Sequence, residues 1–360
     1  MIDPTHDSRD DAGAIALSEG YVRAVRRLGR FLSKTRDLLD AHDLQSRVDH
    51  EHSELHRLSR SVRVPLEQEL VDLTALFERE AAGVSNDVER HRAFARSELH
   101  PLLLEAPFAA RTFEKPLGYA GDYEMVNMML GESATEPNGS FARFVNDVLL
   151  GVPVVQAHRN RVEILERMLS EEASRVNAGG RMLTVLSLGC GPAIEIQRVF
   201  QRQEPRRIIV HLVDFDARTL EHVSARAKRI LENVSPKPLF YLVQEGLEEI
   251  LLRAPNGTDP RRGVYDLVYC TGLFDYFADD VCRELTRRCV SWLRPGGLLL
   301  TSNVHTRNPH RHCMEHLVDW HLVYRDEEQM RALASEETPP QIFTDATGLN
   351  VFSSVRARGV

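Results

Sequence analysis

The sequence has no excess of positive charge: its 45 Lys and Arg are outnumbered by 53 Asp and Glu, for a formal net charge of -8. A surface of that sign repels phosphate backbones and anionic lipid, so nucleic acid is excluded as a bulk partner. No apolar run approaches the ~20 residues that a bilayer-crossing helix needs, so no stable membrane insertion is expected. Met1 to Asp11 carry acids but no apolar leader segment, which predicts a cytoplasmic protein. Cysteine is sparse and odd in number, at Cys190, Cys270, Cys282, Cys289 and Cys313. Most of these lie in apolar segments, so reduced, buried thiols are expected rather than a disulfide framework. Internal repeats, low-complexity blocks and heptad arrays are also missing, which excludes solenoids and long coiled coils.

What is present suffices for a large core, since 42% of 360 residues are hydrophobic. That size suggests two domains or one elaborated domain. Residues 1–12 are polar and aperiodic and read as a disordered tail. Residues 13–150 read as a helical domain: Tyr21, Val22, Val25 and Leu28, then Leu66, Leu70, Leu73 and Phe77, repeat at three- and four-residue spacing. Pro101 and Pro107 are expected to interrupt these helices. The segment from Phe113 to Tyr123 reads as an ordered loop leading into a helix over Glu124 to Leu130. From residue 151 onward, a helix over Val154 to Glu171 precedes a change of period. Short β-rich runs then alternate with helical stretches: Leu183 to Leu188, Ile208 to Val213, Leu239 to Val243, Leu267 to Cys270 and Leu298 to Ser302. Such alternation predicts βαβ units and a parallel sheet. Gln341 to Thr344 and Val351 to Val355 add a terminal antiparallel hairpin.

The strand ending at Leu188 runs directly into Gly189-Cys190-Gly191-Pro192, followed by a helical stretch. Glycine there lets a backbone approach a ligand closely, although many strand-to-helix turns need it for backbone reasons alone. The next strand ends at Asp214, 25 residues beyond Gly189, near the spacing at which such folds set an acid on a ribose hydroxyl. Phe215 offers an apolar face for an adenine ring. Glu245, Gly246 and Leu247, after the third strand, offer an acid and a backbone N–H to its edge. Thr271, closing the fourth strand, would lie beside the rest of such a ligand, or simply cap the strand end. No third glycine completes the pattern of nicotinamide-binding loops, since Ile194 occupies its place.

Taken in order with Asp214, the strand Tyr265 to Cys270 and the turn Pro295-Gly296-Gly297, this loop resembles class I S-adenosylmethionine (SAM)-dependent methyltransferases. The resemblance implies an α/β fold: a Rossmann-like seven-stranded methyltransferase sheet, mostly parallel with a C-terminal antiparallel hairpin, carrying the N-terminal helical domain. It also implies SAM as cofactor and a small-molecule acceptor as partner, with a homodimer allowed. Lys115-Pro116-Leu117-Gly118-Tyr119-Ala120-Gly121-Asp122-Tyr123, Asn303-Val304-His305-Thr306-Arg307-Asn308-Pro309 and Met314-Glu315-His316-Leu317-Val318-Asp319-Trp320 resemble the bacterial family associated with 3-hydroxypalmitic acid methyl ester, a diffusible cell-density signal used in quorum sensing. That implies carboxyl O-methylation of a 3-hydroxy fatty acid or a related acid. A methyltransferase of a small amine or other metabolite, and a SAM-binding regulatory protein without catalysis, remain alternatives.

A carboxylate acceptor is already ionised at neutral pH, with an ordinary pKa near ~4, and needs no base; for an amine or hydroxyl, His305 after the fifth strand is the best placed candidate base. The plainer reading of His305 is a bond to loop backbone. Tyr119, Asp122 and Tyr123 could form a lid over cofactor and acceptor, or a polar turn in which Asp122 caps the next helix. His158, Arg161, Val162, Leu165 and Met168 share a helical face, so Arg161 could meet the carboxylate of the cofactor's methionine half, or make a surface ion pair. Gly272 to Phe277 could line the acceptor pocket. His305, His310, His312, Cys313, His316 and His321 cluster in sequence, but only His312 and His316 have helical i, i+4 spacing, and no metal site is expected.

Overall fold

The computed structural model describes residues 17–48, 60–202, 207–232, 238–252, 259–334 and 339–358. The tail expected over residues 1–12 lies outside the described residues. Three helices open the fold: α1 (Glu19–Val48), α2 (Arg60–Ala82) and α3 (Val88–Leu103). On α1, Tyr21, Val25, Leu28 and Leu32 form one stripe at most 2% exposed. That stripe meets Leu70, Leu73 and Phe77 of α2 and Ala95 and Leu99 of α3 in a single apolar cluster. Pro101 does not interrupt α3 but lies within it. It is the third residue from the helix end, where a missing N–H removes a bond only from the last turn. Pro107 does mark a break, standing at the first position of α4 (Pro107–Glu114).

α5 (Tyr123–Leu130) is closed at both ends. The Asp122 carboxylate accepts from Met125 N at its start, and Gly131, at φ 71°, ends it in the left-handed region. α6 (Gly139–Gly151) and α7 (Pro153–Ala178) follow, and α7 packs against the sheet.

The sheet has seven strands: β1 (Leu183–Leu188), β2 (Ile208–Asp214), β3 (Leu239–Gln244), β4 (Tyr265–Thr271), β5 (Leu293–Val304), β6 (Gln341–Thr344) and β7 (Asn350–Arg356). Their spatial order is β3-β2-β1-β4-β5-β7-β6, with β7 antiparallel to both neighbours. Alternate residues feed two cores. Leu183, Val185, Leu267 and Tyr269 face α7 and α8 (Ile194–Gln201), whereas Leu186, Leu188, Val268 and Cys270 face α11 (Asp279–Trp292). α9 (Ala217–Leu231) and α10 (Leu247–Leu252) complete the crossovers after β2 and β3. The Pro295-Gly296-Gly297 turn lies inside β5, where its pairing with β4 shifts register. Gly296 has φ 75°, and a Cβ on Gly297 would stand 2.9 Å from the Arg294 carbonyl oxygen. All five cysteines are free; Cys313 is half-buried and the other four are buried.

α12 (Arg311–Leu317), from beyond β5, returns to the helical part and joins its core through Leu317. The Glu78 carboxylate of α2 accepts from His312 N at 3.0 Å and Cys313 N at 2.7 Å. Arg96 and the His100 ring on α3 bond the carbonyls of His316 and Leu317. His316 is buried, with its Nδ1 2.9 Å from the Tyr21 hydroxyl. Among the described residues, no group of three or more His, Cys, Asp and Glu side chains is arranged to hold a metal ion.

Candidate functional site

A cleft of about 800 Å³ opens at the carboxyl ends of β1, β2 and β4, walled also by α5 and α7. This is the end of an open parallel sheet where ligands bind, because the strand order reverses beside β1. Its floor is the turn after β1. Gly189, Gly191 and Ala193 there all have positive φ, at 62°, 51° and 49°. A Cβ on Gly189 would lie 2.7 Å from the Leu273 side chain, so packing as well as conformation demands glycine. Gly191 has open space on that side, which leaves its backbone bare toward the cleft.

Asp214 ties this turn to β2. Its Oδ2 accepts from Gly191 N and its Oδ1 from Asp216 N, both at 3.1 Å, while Cys190 N bonds the Val213 carbonyl. Burial raises the Asp214 pKa, and the backbone donors pull it back in part. A carboxylate has about four lone-pair sites, so two bonds leave acceptor capacity for a ligand hydroxyl. Phe215 is 54% exposed in the cleft wall, its ring 5.0 Å from that of Tyr119. Burial raises the Tyr119 hydroxyl pKa, so it stays protonated.

Arg161 enters from α7. It lines the cleft, and its Nη1 is buried with no hydrogen-bond partner among the described residues. Burial lowers its pKa, and the negative charges of Asp275 and Glu195 offset only part of that. Gly272 makes room for it: a Cβ there would meet Arg161 Nη1 at 3.0 Å. A guanidinium buried against a glycine keeps a donor free that could pair with an anionic ligand.

Of the other residues singled out from sequence, Tyr123, Cys190 and Thr271 also line the cleft. Tyr123 stacks on His222 at 4.4 Å, and burial holds the Cys190 thiol well above its ordinary pKa. Asp122 does not line it. Besides capping α5, its carboxylate is gripped by Arg111 at 2.9 and 2.8 Å, and it is 1% exposed. Glu245, Gly246 and Leu247 also stand outside the lining. Glu245 is buried in an ion pair with Arg261, Gly246 N bonds the Glu249 carboxylate, and Leu247 begins α10. His305 is buried behind β5, with its Nε2 2.9 Å from Glu327 and Arg307 against the same ring. Gly272 and Leu273 face the cleft, whereas Phe274 is fully buried in the core.

Sequence reasoning missed Glu195 and Tyr269, which meet across the cleft wall with the Tyr269 hydroxyl donating to Glu195 Oε1 at 2.7 Å. Glu195 carried a weak signal, an acid in the first turn of a helix after a glycine loop. Tyr269 carried none, since it lies in an apolar strand.

A second cavity, about 1,070 Å³ and almost wholly apolar, lies among the helices. Leu28, Leu70, Phe108, Met129, Val155 and Met314 are among its walls. It shares two helices with the cleft. α5 shows Met129 to the cavity and Val126 and Leu130 to the cleft; α7 shows His158 to the cavity and Arg161, Val162 and Leu165 to the cleft.

The strand order and single reversed strand define the Rossmann-like seven-stranded methyltransferase fold, here with an N-terminal helical part. A possible exported protein from Bordetella parapertussis is similar in structure, with a TM-score of 0.52 and 20% identity over 86% of this chain and 100% of its own. That extent is greater than the α/β part, so the likeness in fold includes helices of the N-terminal part. Magnesium protoporphyrin IX methyltransferase from Synechocystis PCC 6803, with bound SAH, is 12% identical over 69% of this chain and 97% of its own, with a TM-score of 0.46. The N-methyltransferase NodS from Bradyrhizobium japonicum WM9, in complex with SAH, is 15% identical over 56% and 87%, with a TM-score of 0.38. No protein family model and no curated protein matches the chain.

Proposed function

We propose that the chain is a SAM-dependent methyltransferase of a small-molecule acceptor, and that this acceptor is a 3-hydroxy fatty acid or a related acid methylated on its carboxylate oxygen. The observation that carries the reading is the pairing of a cleft that holds the unpartnered Arg161 and Asp214 to an apolar cavity on the other side of α5 and α7. Arg161 would hold the amino-acid carboxylate of the cofactor, Asp214 its ribose hydroxyls and Phe215 one face of its adenine. When bound, SAM supplies a methyl group already activated on a sulfonium.

The work left to the protein is orientation and exclusion of water. Tyr119 and Tyr123 line the cleft, and the helices around the second cavity would remove an apolar chain from solvent. Burying such a chain stabilises the complex by about 0.8 kcal/mol per methylene. A carboxylate needs no proton removed at neutral pH, which suits a site whose base expected from sequence, His305, is turned onto Glu327 and stands outside the cleft lining.

The test is incubation of the purified protein with methyl-labelled SAM and a panel of fatty acids, 3-hydroxy fatty acids, amino acids and amines. Label is expected in an alkali-labile ester of the long-chain acids. Cofactor binding with no transfer to any acceptor would leave a binding protein, and transfer confined to amines would replace the acid.

A further inference from the structure

The α7 turn between the two cavities carries a side chain whose hydrogen-bonding capacity is only half used. His158 Nδ1 lies 2.9 Å from the Val154 carbonyl oxygen one turn earlier. A carbonyl oxygen can only accept, so Nδ1 holds the proton and Nε2 presents a lone pair. Burial drives the ring's pKa down to about 3, so it stays in that neutral form at physiological pH. No donor among the described residues reaches Nε2, and the ring lines the apolar cavity. Two other polar groups of that wall are satisfied by the protein: Thr112 Oγ1 donates to the Phe108 carbonyl, and Trp320 Nε1 to the Tyr276 hydroxyl.

Position adds to this. His158 and Arg161 are three residues apart on one helix, roughly 4.5 Å along its axis. A ligand in the apolar cavity would therefore meet His158 within one helical turn of Arg161 in the cleft wall. The missing partner must be a donor. A carboxylate has none, and an ammonium is opposed by the apolar wall and by the positive charge of Arg161 nearby. An uncharged hydroxyl fits.

We propose that His158 selects the acceptor by taking a hydrogen bond, at Nε2, from a hydroxyl carried near the head of an apolar chain. This deepens the function proposed above and rests on it for the identity of the chain. No proton is transferred: a base this weak is an acceptor of a hydrogen bond, and the residue sets specificity rather than chemistry.

Two measurements on the full-length protein, with S-adenosylhomocysteine present for binding and SAM for turnover, compare a 3-hydroxy acid with the unsubstituted acid of equal length. The wild type is expected to favour the hydroxylated acid by roughly 10- to 100-fold in Kd and in kcat/KM, the scale of one buried hydrogen bond. In His158→Phe the ratio should fall to about one, and His158→Asn, which restores an acceptor oxygen, should recover part of it. No preference in the wild type, or an undiminished preference in His158→Phe, would overturn the inference without touching the methyl-transfer reading. Preferential binding of the hydroxylated acid without methyl transfer to either would overturn that reading and leave His158 in its role. Failure of both acids to bind would remove both.

Discussion

Arg161→Met separates a residue kept for a ligand from one that holds the protein together. The guanidinium is buried, its Nη1 is unpartnered, and the net effect of its surroundings is to lower its pKa. The ligand-free protein therefore carries this charge at a cost. An unsatisfied buried donor is worth about 1–3 kcal/mol, and methionine fills a similar length without polar demands. At about 2.1 cal/mol/K of unfolding entropy per residue, that gain corresponds to a rise of roughly 1.5–4 °C in Tm for a chain of this size. Affinity for SAM should move the opposite way. Losing a hydrogen bond to a charged group removes about 1.5–3 kcal/mol, or roughly 10- to 150-fold in Kd. Calorimetric titration with SAM and thermal unfolding without it give the two signs independently. A Tm lowered by several degrees with Kd unchanged would refute the reasoning, because Arg161 would then be satisfied inside the protein.

Asp214→Ala should weaken SAM binding by about 1.5–3 kcal/mol in the same titration, since it removes the acceptor proposed for the ribose hydroxyls and frees Gly191 N; unchanged affinity in a folded variant would count against the ribose assignment. Asp122→Asn keeps a helix cap but breaks the pair with Arg111, and a loss of about 3–5 kcal/mol in denaturant unfolding is expected, with roughly 1 kcal/mol more for Asp122→Ala. A loss below about 1 kcal/mol would contradict that account. His158 and His316 both have folded pKa values pushed by burial from 6.5 to about 3. Because the folded state resists protonation, their contribution is intact above pH 6.5 and is lost as pH falls from 6.5 toward 3, by roughly 4–5 kcal/mol each at most. Denaturant midpoints should drop over that range and drop less in His316→Gln; a wild-type midpoint flat from about pH 7 to 4.5 would remove the argument.

Much of the α/β part was legible in the sequence because its signals are local. β1 and β6 agree with the predicted bounds residue for residue; β1 does so because a buried strand bounded by turn residues declares its own ends. The positions of Gly189, Gly191 and Asp214 followed from spacing along the chain, and these residues do meet, through the bond from Gly191 N to the Asp214 carboxylate. Pro101 was misread because a proline's effect depends on its distance from the helix end, which spacing alone does not state.

The tertiary structure decided which polar side chains face a ligand. Asp122 and Arg161 looked equally available in sequence, but Arg111 folds back onto the first, whereas Gly272 leaves the second uncovered. His305 stands at the end of a strand, as expected of a site residue, but Glu327 and Arg307 from neighbouring segments engage it. The apolar cavity was invisible for the same reason. Its walls come from α1 through α7 and α12, and an amphipathic stripe has the same period whether it closes on a neighbour or stops short of one. The sequence by itself determined the strands, most helices and the glycine turn after β1, because these depend on a residue and its near neighbours. Only the packing of distant helices decided where the molecule is hollow and which charges were left without a partner.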